Sequence, residues 1–406
     1  MYSLSSLKGG FPVRGLALEG GGARGAYHIG VVKALMEHGY EFDGFVGTSI
    51  GAINAAILAQ GDFQRALDLW TGISIEKIFD EDERPLLQLI DAKSLKADLD
   101  LVSSSKRKAL KKIIDGRGIS TDKMQKILDE IIDEDKIRSS GKDYGLVTIS
   151  LSERKPYELM LEDIPYGQFF NYVMASASFP GFKPELIEEK KFLDGAFYDN
   201  CPYHLLIQKG YDEVIAIRTN ARGVFKKVDD EKVKVIVPRD DLGSIMLFMP
   251  DNCAEKIKLG YHDGLRFLLN LRGNTYYIRP AGIKDMTERL MLLSDDVIQK
   301  AGKLLNVPQM PEKRMLFEKI IPQLGEYLKL DKDFDYADFT IALLERAAEQ
   351  KEIDRYGVYD YSELCDLIKK AHVAADKMKP FVGLPENYRF KNKKRAVKLL
   401  SRYLLH

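Results

Sequence analysis

The 406-residue chain has only three cysteines, Cys201, Cys253 and Cys365, an odd number too scattered for a CxxC pair. Disulfides and a thiolate metal or redox site are therefore not expected. The six histidines, His28, His38, His204, His262, His372 and His406, form no HExxH and no paired spacing, so a zinc site is not expected either. Net charge is missing as well. The 61 Lys and Arg residues balance 61 Asp and Glu residues, which leaves no global field to hold the chain on nucleic acid or an anionic membrane; any such attraction has to be local. No stretch approaches the ~18 apolar residues of a membrane span. Residues 1–10 carry one lysine, scattered serines and no apolar signal core. The expectation is a soluble, cytoplasmic protein with no nucleic-acid partner.

What is present is an ordinary globular mixture, 45% hydrophobic and 30% charged. That suffices for a large core, divided into two or three units at roughly 150 residues each. Residues 13–19 read as a buried strand, followed by glycines and then by Ile29, Val32, Leu35 and Met36 on one helical face. A second copy of this pattern follows, with a strand at 42–46, a turn at 47–51 and a small-residue helix at 52–60. Two strand–helix units in about fifty residues predict a parallel sheet covered by helices. Residues 63–138 read as a charged helical insertion. Strands resume at 144–150 and 157–161 as a hairpin, then at 186–187, 192–193, 214–217 and 233–237. Beyond Arg279 only helical periodicity remains, which places a boundary near Pro280 and divides the chain into 1–279 and 280–406.

Two glycine turns carry chemistry. The first, Gly20, Gly21, Gly22, Ala23, Arg24 and Gly25, formally satisfies GxGxxG. As a dinucleotide site it would need an acid closing the second strand, and Asp43 begins that strand instead. As an anion pocket it needs only free backbone N–H groups at a helix start. The second turn, Gly47, Thr48, Ser49, Ile50 and Gly51, is a GxSxG between a strand and a helix, the setting of a nucleophile elbow. Ser49 could instead merely cap the helix, but capping requires neither glycine. A serine nucleophile needs a base. His204 and His262 follow in the chain order Ser, Asp, then His that an α/β-hydrolase would use, though neither lies in a motif of its own. Asp194, followed by Gly195 and Ala196, ends an apolar strand on the sheet edge where the elbow opens; alone, Asp-Gly is equally a β-turn.

Together these pieces resemble the patatin-like phospholipase family. The match is GGGxRG at 20–25, GxSxG at 47–51 and DGA at 194–196, in that order, with supporting similarity at 175–180 and 199–202. The resemblance spans roughly residues 15–272. It implies a three-layer α/β sandwich with a mainly parallel central sheet, followed by an α-helical C-terminal domain. It also implies a lipid ester hydrolase that uses a Ser-Asp dyad, with Ser49 as nucleophile, Asp194 as base, the glycine loop as oxyanion hole and no metal or organic cofactor. A Ser-His-Asp esterase and a non-enzymatic dinucleotide-binding module stay open beside it. Arg24 could anchor the loop or attract an anionic head group.

The C-terminal segment after Glu386 contains seven Lys or Arg residues, interleaved with Ala396, Leu399, Leu400, Tyr403 and Leu404 at helical spacing. A basic amphipathic helix of this kind is expected to give peripheral contact with anionic membrane. The same stripe could equally pack on the preceding helices.

Overall fold

The computed structural model describes residues 12–83, 87, 118–226, 230–280, 283–371 and 388–405. Much of the expected helical insertion, the amino-terminal stretch, His372 and His406 lie outside the described residues. The chain divides into two compact units, Met1–Leu265 and Arg266–His406, whereas the sequence suggested a boundary near Pro280.

The first unit is built on strands β1 (Arg14–Leu18), β2 (Gly44–Thr48), β3 (Asp143–Ser150), β4 (Lys155–Met160), β5 (Leu186–Ile187), β6 (Lys190–Asp194), β7 (Glu213–Ile217) and β8 (Val233–Ile236). They form one sheet in the order β5-β6-β3-β2-β1-β7-β8, with β4 on β3. Five neighbouring strands, β3, β2, β1, β7 and β8, run parallel. Strand alternation sends Ala17, Val46, Val147, Val214 and Ala216 to one face, against Leu205 and Leu206 of a short helix. Leu16, Leu18, Leu146 and Ile215 alternate to the opposite face and are fully buried there. Strands buried on both sides belong to a sheet covered by two helical layers.

Helix α1 (Ala26–Glu37) follows β1, and α2 (Ile50–Ala59) follows β2. The one-faced pattern expected for α1 is incomplete. Its residues are buried from Ala26 through Val32, and Met36 is turned outward. The reason is α4 (Pro250–Leu269), counted after α3 (Phe169–Ser176), which crosses the far side of α1. A Cβ on Gly30 would meet the backbone of Ile257 and Tyr261, and one on Gly260 would meet that of Tyr27.

Register in β3 decides how the site is assembled. β4 pairs antiparallel with Gly145–Ser150, which fills one edge of β3. On the other edge β2 pairs parallel as far as Thr48, opposite Val147. β6 then takes over antiparallel, with Asp194 opposite Thr148. The ends of β2 and β6 thus point at each other across consecutive residues of one strand. Asp194 does not close a parallel strand, as the sequence suggested. It reaches the elbow because its strand is antiparallel and pairs only with the end of β3.

The second unit contains α5 (Ile283–Met291), α6 (Asp295–Leu304), α7 (Tyr336–Gln350), α8 (Tyr361–Lys370) and α9 (Tyr388–Leu404). Leu290, Leu293, Val297, Leu343 and Leu400 are among the buried residues of one of its cores. The unit is mainly helical, as expected, and adds one short strand pair, β9 (Tyr277–Ile278) with β10 (Val358–Tyr359), in parallel register. Two-residue strands are too short to show a period in sequence. No helix among the described residues is long and apolar enough to cross a membrane.

Candidate active site

Ser49 stands alone between β2 and α2, at φ 57° and ψ −128°, a positive φ rare for a side-chain-bearing residue. Backbone strain of this kind persists only where the surroundings hold it. The neighbouring glycines supply room: a Cβ on Gly47 would meet the backbone of Gly51, and one on Gly51 would meet the Leu18 carbonyl. Ser49 occupies the cap position of α2, yet its side chain makes no capping hydrogen bond, so the hydroxyl is not spent on the helix. Its N–H donates to Ser176 Oγ at 3.0 Å, and Ser176 Oγ donates to the Val147 carbonyl at 2.7 Å. Thr48 ties the elbow to the following loop through Oγ1 donating to the Asp199 carbonyl at 2.8 Å.

Asp194 is completely buried. Its N–H donates to the Ser178 carbonyl at 2.9 Å, and its Oδ1 accepts from the Ala196 N–H at 2.8 Å. Oδ2 is left without a partner in hydrogen-bonding geometry. Burial pushes the carboxyl up from 3.8 to about 6, and the nearby Ser49 hydroxyl and the Ala196 amide draw it partly back. The hydroxyl is therefore close enough to act on the carboxyl although it does not satisfy Oδ2. Gly195 passes where a Cβ would meet the Val147 carbonyl and the Thr48 side chain.

The glycine loop has already committed most of its amides. Gly20 N–H donates to the Asn200 carbonyl and to Asn200 Oδ1, Ala23 N–H to the Ile245 carbonyl, and Arg24 N–H to the Gly21 carbonyl. Gly25 lies within the short 3-10 turn Gly22–Gly25. Gly21 and Gly22, at φ +148° and +54°, retain amides that no described acceptor takes. Of the six loop residues expected to donate, these two are free. Beneath them Glu19 binds Arg218 and the Thr219 backbone, while Thr219 Oγ1 donates to the Gly20 carbonyl. Arg24 is an anchor: its guanidinium donates to the carbonyls of Gly243, Thr219 and Asn220.

The described histidines have partners other than Ser49. His204 is held by Glu158 at 3.0 Å and Asp199 at 3.1 Å, and His262 faces the Lys258 carbonyl of its own helix. His28 lies beside Asn54 at 3.2 Å, and burial lowers its pKa to about 3. Neither His204 nor His262 takes the place of a base on Ser49. Sequence reasoning missed the positioning by Ser176, Ser178 and Asn200; the small-residue run at 175–178 and the Asn200-Cys201-Pro202 segment were the available signals.

Residues 16–207 match the profile described as patatin-like phospholipase. The patatin-like phospholipase domain-containing protein 7 of Rattus norvegicus is 28% identical over 211 residues, covering 51% of this chain and 14% of that protein. Lysophospholipase NTE1 of Coccidioides immitis is 29% identical over 208 residues, covering 51% of this chain and 11% of that one. An uncharacterised NTE family protein of Mycobacterium bovis is 52% identical over 46 residues, or 11% of this chain and 13% of its own length. The match thus spans about a seventh or less of these curated relatives. Among solved structures, VipD from Legionella pneumophila aligns over 88% of this chain and 83% of its own, at 16% identity and a TM-score of 0.41, too loose a likeness to argue from.

Proposed function

We propose, for a chain whose residues 16–207 match the patatin-like phospholipase profile, that it hydrolyses carboxylic esters of lipids through Ser49 and Asp194. The observation that carries this reading is the pairing of an unspent hydroxyl on a strained elbow with a buried carboxylate oxygen that has no other partner. A carboxylate at its ordinary pKa is a weak base toward a hydroxyl. Raising it to about 6 improves its basicity while leaving it ionised at neutral pH.

Ser49 Oγ attacks the ester carbonyl carbon as Asp194 takes the hydroxyl proton. The carbonyl oxygen gains the negative charge, and the free Gly21 and Gly22 amides receive it. Collapse of the tetrahedral intermediate breaks the ester bond, and the proton on Asp194 passes to the leaving alkoxide. Water then attacks the acyl-Ser49 ester with Asp194 again accepting a proton, and release of the fatty acid returns that proton to Ser49.

The lipid class is supported by the relatives, which are named phospholipase and lysophospholipase, and by aromatics beside the acid. Phe197 is half exposed three residues after Asp194, its ring 6.4 Å from Phe179, which lies 6.1 Å from Phe182. Apolar rings close to the acid in sequence suit an acyl chain.

The test is a fluorophosphonate label followed by panels of simple esters, lysophospholipids and phospholipids. Stoichiometric labelling that disappears in Ser49→Ala, with hydrolysis of lipid esters unaffected by EDTA, is expected. Intact protein that neither labels nor hydrolyses any ester would overturn the proposal.

A further inference from the structure

We propose that the second unit holds the protein on anionic lipid surfaces through an exposed basic stripe on α9 and an apolar tip beside its carboxyl end. From Tyr388 to Leu404 the helix carries seven Lys or Arg residues and no acid. Its apolar face is occupied: Ala396, Val397, Leu400 and Leu404 are buried in the unit's core, and Ser401 Oγ donates to the Leu343 carbonyl at 3.0 Å. An amphipathic helix laid into the bilayer by that face is thereby excluded, and what remains outward is charge along most of its length, with Tyr403 near the end. Lys391, Arg395, Lys398 and Arg402 are all exposed, at spacings of four, three and four residues. This forms one stripe about 16 Å long.

A second observation lies at the end of that stripe. Arg289 Nη1 donates to the Leu404 carbonyl at 3.2 Å, and Leu290 and Leu293 share a core with Leu400 and Leu404. Between them the α5–α6 turn presents Met291 at 52% exposure and Leu292 at 81%, with Tyr403 at 46% on α9. Surface aliphatics scattered singly are ordinary; these two are adjacent on one turn and form a small apolar point. Acids flank it, but Asp296 is ion-paired with Lys300, and Lys313 Nζ donates to the Met291 and Leu293 carbonyls. The tip is therefore near balance and the net positive charge lies on the stripe. A basic surface ending in a shallow apolar point matches the interface of an anionic bilayer, where cations meet head groups and aliphatics reach the acyl boundary. A polyanion such as RNA would use the stripe but not the tip.

The experiment uses the full chain carrying Ser49→Ala, so that binding is read without turnover and its failure leaves the hydrolase reading untouched. Co-sedimentation is measured with vesicles of pure phosphatidylcholine and of equal parts phosphatidylcholine and phosphatidylglycerol, at low and high salt. Binding to the anionic vesicles that salt weakens is expected. Arg395→Ala combined with Arg402→Ala should lower the partition constant about thirtyfold, and Leu292→Ser should lower it a few-fold at either salt. All these sites are exposed, and unchanged melting of each variant checks the fold. Absence of binding to anionic vesicles, or equal binding by wild type and the double variant, overturns the proposal. Unchanged binding in Leu292→Ser removes the tip from the surface. A short RNA that binds the stripe where vesicles do not reassigns it to nucleic acid.

Discussion

Asp194 is a carboxyl whose folded pKa, about 6, lies above its ordinary 3.8 because burial disfavours the charge. Its contribution to stability is therefore present in full below pH 3.8 and lost as pH rises through about 6. The rise corresponds to about 3 kcal/mol. Asp194→Asn should abolish hydrolysis while stabilising the fold above pH 6 by up to that amount, with the gain vanishing near pH 4. Denaturant unfolding of both proteins at pH 4 and pH 8 checks this. In the wild type, kcat/KM should rise with pH through an acid limb near 6, since the ionised form is the base. Gly22→Ala puts a Cβ against the Ile245 carbonyl at a positive φ. It should lower kcat by about a hundredfold or more with little change in KM, because the oxyanion exists only during reaction; steady-state kinetics on one ester decide. At this scale the proposed reactive pair was legible because Ser49 and Asp194 each sit in a motif with small neighbours. The free amides were not. Which of six donors remains available depends on Asn200 and Ile245, which are far away in sequence.

Among elements, the decisive contact is between strand ends. Both strands were readable as short apolar runs, but a strand of five residues carries no mark of its direction relative to β3. Only the paired register shows that β2 and β6 share one edge of β3. The packing of α1 on α4 was likewise hidden, since a glycine inside a helix reads as a weakness rather than a contact. Gly30→Ala should destabilise the first unit by about 1–3 kcal/mol, because the added methyl meets backbone rather than a movable side chain. Thermal unfolding against wild type measures it. Gly39→Ala, where a Cβ meets nothing within 4 Å but φ is +79°, provides a control that separates crowding from backbone strain.

For the whole molecule, the cores are distributed over two units, and the chain's one tryptophan, Trp70, is buried in the first. Its fluorescence reports that unit, whereas circular dichroism reports both. Leu400→Ala in the core of the second unit should cost about 2–5 kcal/mol there, moving the circular dichroism transition more than the fluorescence transition. Coincident shifts would mean that the two units unfold as one. The basic character of the C-terminal helix was plain in sequence, and so was its apolar stripe. Periodicity identifies a face that must be covered without identifying what covers it, and here the unit's own core does so.

Ser49 and Asp194 hang from a common support. Ser176 and Ser178, two residues apart, hold the Ser49 amide and the Asp194 amide respectively, and Ser176 is itself tied to Val147 on β3. Thermal bending of the sheet or drift of α3 then displaces both groups in the same sense, as two instruments bolted to one bench share its vibration. Only the difference between their motions can change the gap that a proton would cross in the proposed reaction. That difference is confined to a few bonds, whatever the amplitude of the movement around them.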